Sequence, residues 1–172
     1  AVRFERGFGY IDAKGEVVIP GKFSSAGKFS EGLASVGSGG KLGYIDRAGK
    51  LVIAPRFEKA YEFHQERARV VLEGRLSYID ATGKVVIGPL KKVARAFDFR
   101  DGLARIRIGT RWGFIDRDGG KVVPPRYFAA YDFSEGVASV QDEKGWSSIG
   151  PDGKVLLRMG PDWLMAFSGG LA

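Results

Sequence analysis

Cysteine is absent from the 172 residues and histidine occurs once, at His64. Such a chain cannot assemble a disulfide framework, a thiolate nucleophile or a multi-histidine metal site, and any Ser-His-Asp arrangement would have one base to draw on. The inventory therefore points away from catalysis, and it implies no resident metal or cofactor. Lack of cysteine suits a reducing cytoplasm and an oxidising periplasm equally. Proline is sparse, 7 residues against 26 glycines without collagen-like triplets, so the glycines are expected in turns at defined positions. Long apolar runs are missing too: nothing approaches the roughly 18 residues of a membrane-spanning helix. The opening AVRFERGFGY has no signal-peptide apolar core. With no initiator methionine, an export signal upstream is left open, and so is the compartment: periplasm, cell envelope or cytoplasm. What is present is a 44% hydrophobic composition, enough for one ordinary core at this length.

Internal periodicity dominates the rest. The segments FGYIDAKG (from Phe8), LGYIDRAG (from Leu42), LSYIDATG (from Leu76), WGFIDRDG (from Trp112) and WSSIGPDG (from Trp146) recur at spacings of 34, 34, 36 and 34. A second block keeps the same register: FSEGLASV (from Phe29), FHQERARV (from Phe63), FRDGLARI (from Phe99), FSEGVASV (from Phe133) and FSGGLA (from Phe167). The two extra residues fall at 90–92, in a connector, where an insertion disturbs no strand register.

A period of 34 also suits helical hairpin repeats, but the local pattern is that of strands. Each unit reads as a strand (33–36), a hairpin loop (37–40), a strand (42–45), a turn (46–49) and a strand (50–53), rich in β-branched and aromatic residues and bounded by Gly or Asp. Asp12, Asp46, Asp80 and Asp116 open tight turns closed by glycine. The remaining stretch, for example 55–66, is expected to be an irregular crossover that delivers Phe57, Ala60, Tyr61 and Phe63 to the core, with at most one helical turn.

These motifs resemble the bacterial WG-repeat family, whose units carry a Trp-Gly pair, then aromatic-Ile-Asp, and end in a Gly-Leu-Ala-x-Val strand. Only Trp112-Gly113 has the full dipeptide; Phe8, Leu42 and Leu76 replace the tryptophan and Ser147 replaces the last glycine. The expected fold is all-β, a single repeat domain over 1–172 of five tandem three-stranded units of about 34 residues. The copies fall near 1–34, 35–68, 69–104, 105–138 and 139–172. Ala172 aligns with Ala34 and Ala1 with Ser35, as if one strand were divided between the two termini. Rejoining it would close a propeller-like ring and hide both sheet edges. The alternative is an open β-solenoid-like stack, which would need polar capping units.

The net charge of +7 is concentrated: residues 42–111 hold 15 Lys/Arg and 8 Asp/Glu, and the remainder holds 12 of each. Strand alternation sets Arg67 and Arg69 opposite Ala68 and Val70, and Arg105 and Arg107 opposite Ala104 and Ile106, with Arg75 and Arg111 after the hairpins. Copies one and four have Ser35 and Ser139 where these have Arg69 and Arg105. One reading is an anion-binding arginine patch; the other is a solvated face whose arginines pair with Glu62, Glu66, Glu73, Asp98 and Asp101.

Trp112 and Trp146 share a column with Phe8 and Leu42, which suggests core volume, whereas Trp163 stands outside it and could stack on a ligand. Tyr61, Tyr127 and Tyr131 suit either core or groove, and His64 falls at a polar loop position. Glu31, Asp101 and Glu135 recur before the second-block strand, so no single carboxylate pair stands out for glycosidase chemistry. The expected role is a non-catalytic binding or scaffolding module with a protein or peptide partner. Polyanion, glycan or nucleic-acid backbone binding at the arginines is the rival; no sequence-specific nucleic-acid recognition is expected.

Overall fold

The computed structural model describes residues 1–159. Trp163 and the C-terminal half of the expected closing strand lie outside the described residues. Contacts divide the chain into two compact units, Ala1–Pro89 and Leu90–Ala172, a boundary beside the two-residue insertion. Every regular element among the described residues is a strand.

The first unit holds three antiparallel sheets. The first sheet is β1 (Val2–Phe4), β2 (Gly7–Ile11) and β3 (Val17–Phe23), and the second is β4 (Ala34–Ser38), β5 (Lys41–Ile45) and β6 (Leu51–Phe57). The third is β7 (Lys59–His64), β8 (Arg67–Leu72), β9 (Arg75–Ile79) and β10 (Val85–Ile87). The second unit holds two four-stranded sheets: β11 (Val93–Arg100), β12 (Leu103–Ile108), β13 (Arg111–Asp116), β14 (Lys121–Tyr127); then β15 (Ala129–Ala130), β16 (Ala138–Asp142), β17 (Gly145–Ile149), β18 (Val155–Arg158).

The repeat register is therefore correct, but the crossover is not an irregular segment with a helical turn. In copies two and three it extends into β7 and β11, a fourth strand paired with β8 and β12. The physical reason is local. KAYEFH and VARAFDFR can alternate inward Ala60 and Phe63, or Ala96 and Phe99, with outward polar residues once irregular pairing absorbs the surplus residues. In copy one the equivalent stretch makes only isolated bridges, Ala26 to Val36 and Ser30 to Leu33.

Within a copy, the glycine of the repeat dipeptide marks a close approach of backbone. Trp112 pairs with Tyr127 and Phe114 with Val123, so three residues of β14 bulge over the single Gly113. A Cβ there would sit 2.4 Å from the Val123 carbonyl oxygen. Gly9 and Gly43 stand in the same relation to Ile19 and Ile53. Copy three has Ser77 instead, and its outer strand stops at Ile87.

Within each unit, buried clusters join one copy to the next. Tyr44 and Phe57 pack with Phe63, Ala68, Val70 and Ile79 of the following sheet, and Phe114 and Val123 pack likewise with Phe133, Ala138, Val140 and Ile149. Polar links run alongside. The Tyr10 hydroxyl donates to the Gly27 carbonyl (2.9 Å) and the Tyr44 hydroxyl to the Tyr61 carbonyl (2.7 Å), tying each middle strand to its own connector.

The turns before β4, β8, β12 and β16 each place an acid or amide in the left-handed region: Glu31 (φ 50°), Gln65 (φ 51°), Asp101 (φ 48°) and Glu135 (φ 54°). The carboxylate of one turn holds the amides of the next. Glu31 accepts from Gln65 N (2.6 Å) and Glu66 N (2.8 Å), and Asp101 from Gly136 N (2.8 Å). Glu31 and Asp101 are thus latches between copies, a role that explains them without chemistry. Glu31→Ala is expected to lower unfolding stability by about 1 kcal/mol, read from the urea midpoint at unchanged m.

Candidate functional site

The arginines singled out by charge alternation lie where the strands predict, opposite the buried Ala68, Val70, Ala104 and Ile106. Four of the six lie against aromatic rings. The Arg69 guanidinium lies 3.8 Å from the centroid of Tyr61. Arg105 lies over Phe97 (4.2 Å) and Trp112 (4.9 Å), Arg107 over Trp112 (5.6 Å), and Arg111 over Phe128 (3.8 Å). The cause is cross-strand geometry: Arg105 and Arg107 of β12 share a face with Trp112 of β13, so guanidinium and ring meet at side-chain distance. Arg67 is half-buried and donates to the neighbouring Glu66 carbonyl (3.1 Å), while Arg75 is exposed at its hairpin.

Arg105 is the most constrained of the set. Its Nη1 donates to the Ala130 carbonyl and its Nε lies 3.1 Å from Asp132 Oδ1, both in the next connector. Burial pushes its guanidinium pKa down, and the charge of Asp132 opposes that shift. Asp132 was not among the acids expected to pair with the arginines; the signal available was its position two residues after an apolar connector strand.

The two arginine groups belong to different units, Arg67, Arg69 and Arg75 to the first, Arg105, Arg107 and Arg111 to the second. Trp112 and Trp146 are half-buried rather than core. Their rings pack against other aromatics, Trp112 at 5.7 Å from Phe97 of β11 and Trp146 at 5.8 Å from Tyr131 of the connector. Leu42 at the same column fills similar volume beside its cluster, so the column tolerates both. Tyr127 is core, and Tyr131 is exposed. His64 ends β7, half-buried, with Nε2 3.9 Å from Glu62.

One concavity in the second unit was not foreseen. It has a volume of about 410 Å³ and is lined by Arg111, Pro125, Arg126, Tyr127, Asp142, Glu143 and Lys144. The sequence marks Arg111 for its charge and Tyr127 as a core or groove residue, but the lining comes from β13, β14 and the following hairpin and converges only when two copies stack.

The sequence model of the WG containing repeat matches four tandem stretches, 8–41, 43–75, 77–109 and 112–146. The chain belongs to the WG-containing repeat family. The matched stretches cover four of the five periods, and the last, with Ser147 and Gly150 at two motif positions, falls beyond them. A comparison with curated proteins gives no match. Among solved structures, a eukaryotic initiation factor is similar with a TM-score of 0.57 at 12% identity, over 92% of this chain and 50% of that one. The N-terminal domain of Nup159 (TM-score 0.47, 14% identity, 77% and 42% covered) and Hsv2p of Kluyveromyces lactis (0.44, 10%, 72% and 44%) are more distant. The WG-repeat chain spans about half, or less, of the length of these structures. The first likeness assigns a fold and no activity: WG repeats here form an all-β, propeller-like repeat architecture.

Among the described residues no group of three or more His, Asp or Glu is arranged to hold a metal ion, and no helix is long and apolar enough to cross a membrane. The aspartates that open the tight turns are occupied by their own loops: Asp46 Oδ1 accepts from Ala48 N (3.0 Å) and Lys50 N (2.9 Å), and Asp116 Oδ1 from Asp118 N (3.0 Å) and Gly120 N (2.7 Å).

Proposed function

We propose that this chain is a non-catalytic binding or scaffolding module of a bacterial protein, which docks a protein or peptide partner on its arginine–aromatic stacks. The observation that supports this over a polyanion reading is the posture of the guanidiniums. Arg69, Arg105 and Arg107 lie against rings of their own sheets, and Arg111 against Phe128 just beyond β14. Arg105 is already paired with Asp132. A nucleic-acid or glycan-sulfate backbone is held by cations free to meet successive anions. Arginine laid on Tyr, Phe or Trp instead offers a flat, partly apolar, pre-ordered surface of the composition that anchors protein interfaces. The motif columns offer no distinctive acid–base pair, in keeping with a binding role.

The test is a pull-down with crosslinking from a native bacterial host, using the full chain and its Arg69→Ser, Arg105→Ser, Arg107→Ser triple variant. Serine already stands in the column shared by Arg69 and Arg105, as Ser35 and Ser139, whose sheets form, so the variant is expected to fold; far-UV circular dichroism checks it. The partner should be lost by about tenfold or more, equivalent to about 1.4 kcal/mol. Raising salt from 50 to 200 mM should weaken wild-type binding by less than about tenfold, against the 10³ or more expected for several phosphate contacts. Retention of every interaction by the triple variant would remove the arginine stacks from the binding surface.

A further inference from the structure

The pocket of the second unit holds two guanidiniums that no carboxylate neutralises. Among the described residues neither Arg111 nor Arg126 forms an ion pair, although Asp142 and Glu143 also line the cavity. Asp142 is engaged elsewhere: its Oδ1 accepts from Lys144 N (2.8 Å), and its Oδ2 lies 3.8 Å from Arg158. Both arginines are held in place. Arg111 is stacked on Phe128, and Arg126 donates from Nη2 to the Tyr127 hydroxyl (2.8 Å) and the Gly153 carbonyl (3.3 Å). A fixed guanidinium with unused N–H groups loses little entropy on meeting a carboxylate, and its fork matches that group in two-point contact.

We propose that this pocket receives an aspartate or glutamate side chain of a docked peptide segment. The inference rests on the reading of the chain as a protein-docking module and names the chemistry of the partner. The carboxylate pairs with Arg111 and Arg126, and its aliphatic stem lies on the Pro125 ring. Asp142 and Glu143, which also line the pocket, favour a peptide over a phosphate polymer. A peptide brings N–H donors as well as acceptors, whereas a polyphosphate brings acceptors and multiple negative charge that these two carboxylates repel. A volume of about 410 Å³ falls in the range of small-ligand pockets and suits one acidic side chain with its flanking backbone.

The experiment titrates the ¹⁵N-labelled full chain with the capped peptide acetyl-Gly-Glu-Gly-Glu-Gly-amide, with the same peptide carrying glutamine, and with sodium tripolyphosphate. The glutamate peptide should shift amide resonances at Arg111, Arg126, Tyr127 and 142–144, and the glutamine peptide should bind at least about fivefold more weakly. Arg111→Gln should lower affinity by a similar factor. Arg126 also braces the fold, so the exposed Lys144→Gln, with an expected loss of about twofold, supplies the second variant. Equal binding of both peptides, shifts confined to other residues, or tighter binding of tripolyphosphate at the same amides would overturn the assignment. None of the three serine substitutions above touches this pocket. A partner lost by the triple variant alongside a silent peptide titration therefore removes only the pocket. Peptide binding alongside a partner indifferent to the triple variant removes only the arginine stacks.

Discussion

Gly113→Ala should lower the stability of the fold by about 3 kcal/mol or more, although it adds a single methyl group. The added Cβ would lie 2.4 Å from the Val123 carbonyl oxygen and 2.7 Å from Pro125 N, and both are backbone atoms that no rotamer change can move aside. Either β14 lifts off β13 or its bulge rearranges, and either change opens the cluster of Phe114, Val123, Tyr127 and Phe133. Urea unfolding followed by tryptophan fluorescence reads the loss, because Trp112 adjoins the site. A midpoint unchanged within error would show that the bulge yields freely. The third copy supplies the internal contrast. Ser77 already has the side chain that Gly113 lacks; there β10 ends at Ile87, and Gly88 (φ 123°) passes the serine with its own missing Cβ only 2.7 Å from the Ser77 Oγ. Glycine has moved from one strand to its partner. Ser77→Gly is accordingly expected to change little, since no backbone group presses on that position from the outer strand.

Tyr44→Ala should cost about 3–5 kcal/mol and Tyr44→Phe only about 1 kcal/mol. The ring is fully buried, edge-on to Phe63 at 5.1 Å and to Phe57 at 6.3 Å, while its hydroxyl donates to the Tyr61 carbonyl. Removing the ring leaves a cavity walled by residues of two sheets, whereas removing the hydroxyl leaves one carbonyl short of a donor. The fourth copy carries the lesser change already, with Phe114 in that column, fully buried and edge-on to Phe133 at 4.9 Å. Hydrogen exchange of amides in β4 to β9 separates the two effects, and similar losses for the two variants would mean that the hydroxyl, not packing, carries the column.

The period, the strand register and the turns were legible because each is a local property: strand alternation, β-branching and Asp-to-Gly spacing depend on neighbours a few residues away. The aspartate turns form as their spacing implies, and the insertion at 90–92 falls between β10 and β11. The fourth strand was less legible, since KAYEFH and VARAFDFR break strict alternation and pair only around bulges. Contacts between copies left no trace that one copy could carry. Glu31 reads as a turn acid until the amides of Gln65 and Glu66 are beside it, and Arg105 reads as exposed until Asp132 and Ala130 arrive from the next connector. The pocket was hidden for the same reason, as Arg111 and Arg126 meet Lys144 only across successive copies.

Both carboxylate latches among the described residues reach one period ahead, so donor and acceptor are encoded about 34 residues apart, as Glu31 is from Gln65 and Glu66. Duplication or loss of a whole period in the gene would hand each surviving acid an equivalent pair of amides, while a break inside a period would strand one half of a pair. Length can thus vary in steps of one module without new side chains having to be selected, and the site best suited to recombination is the turn itself.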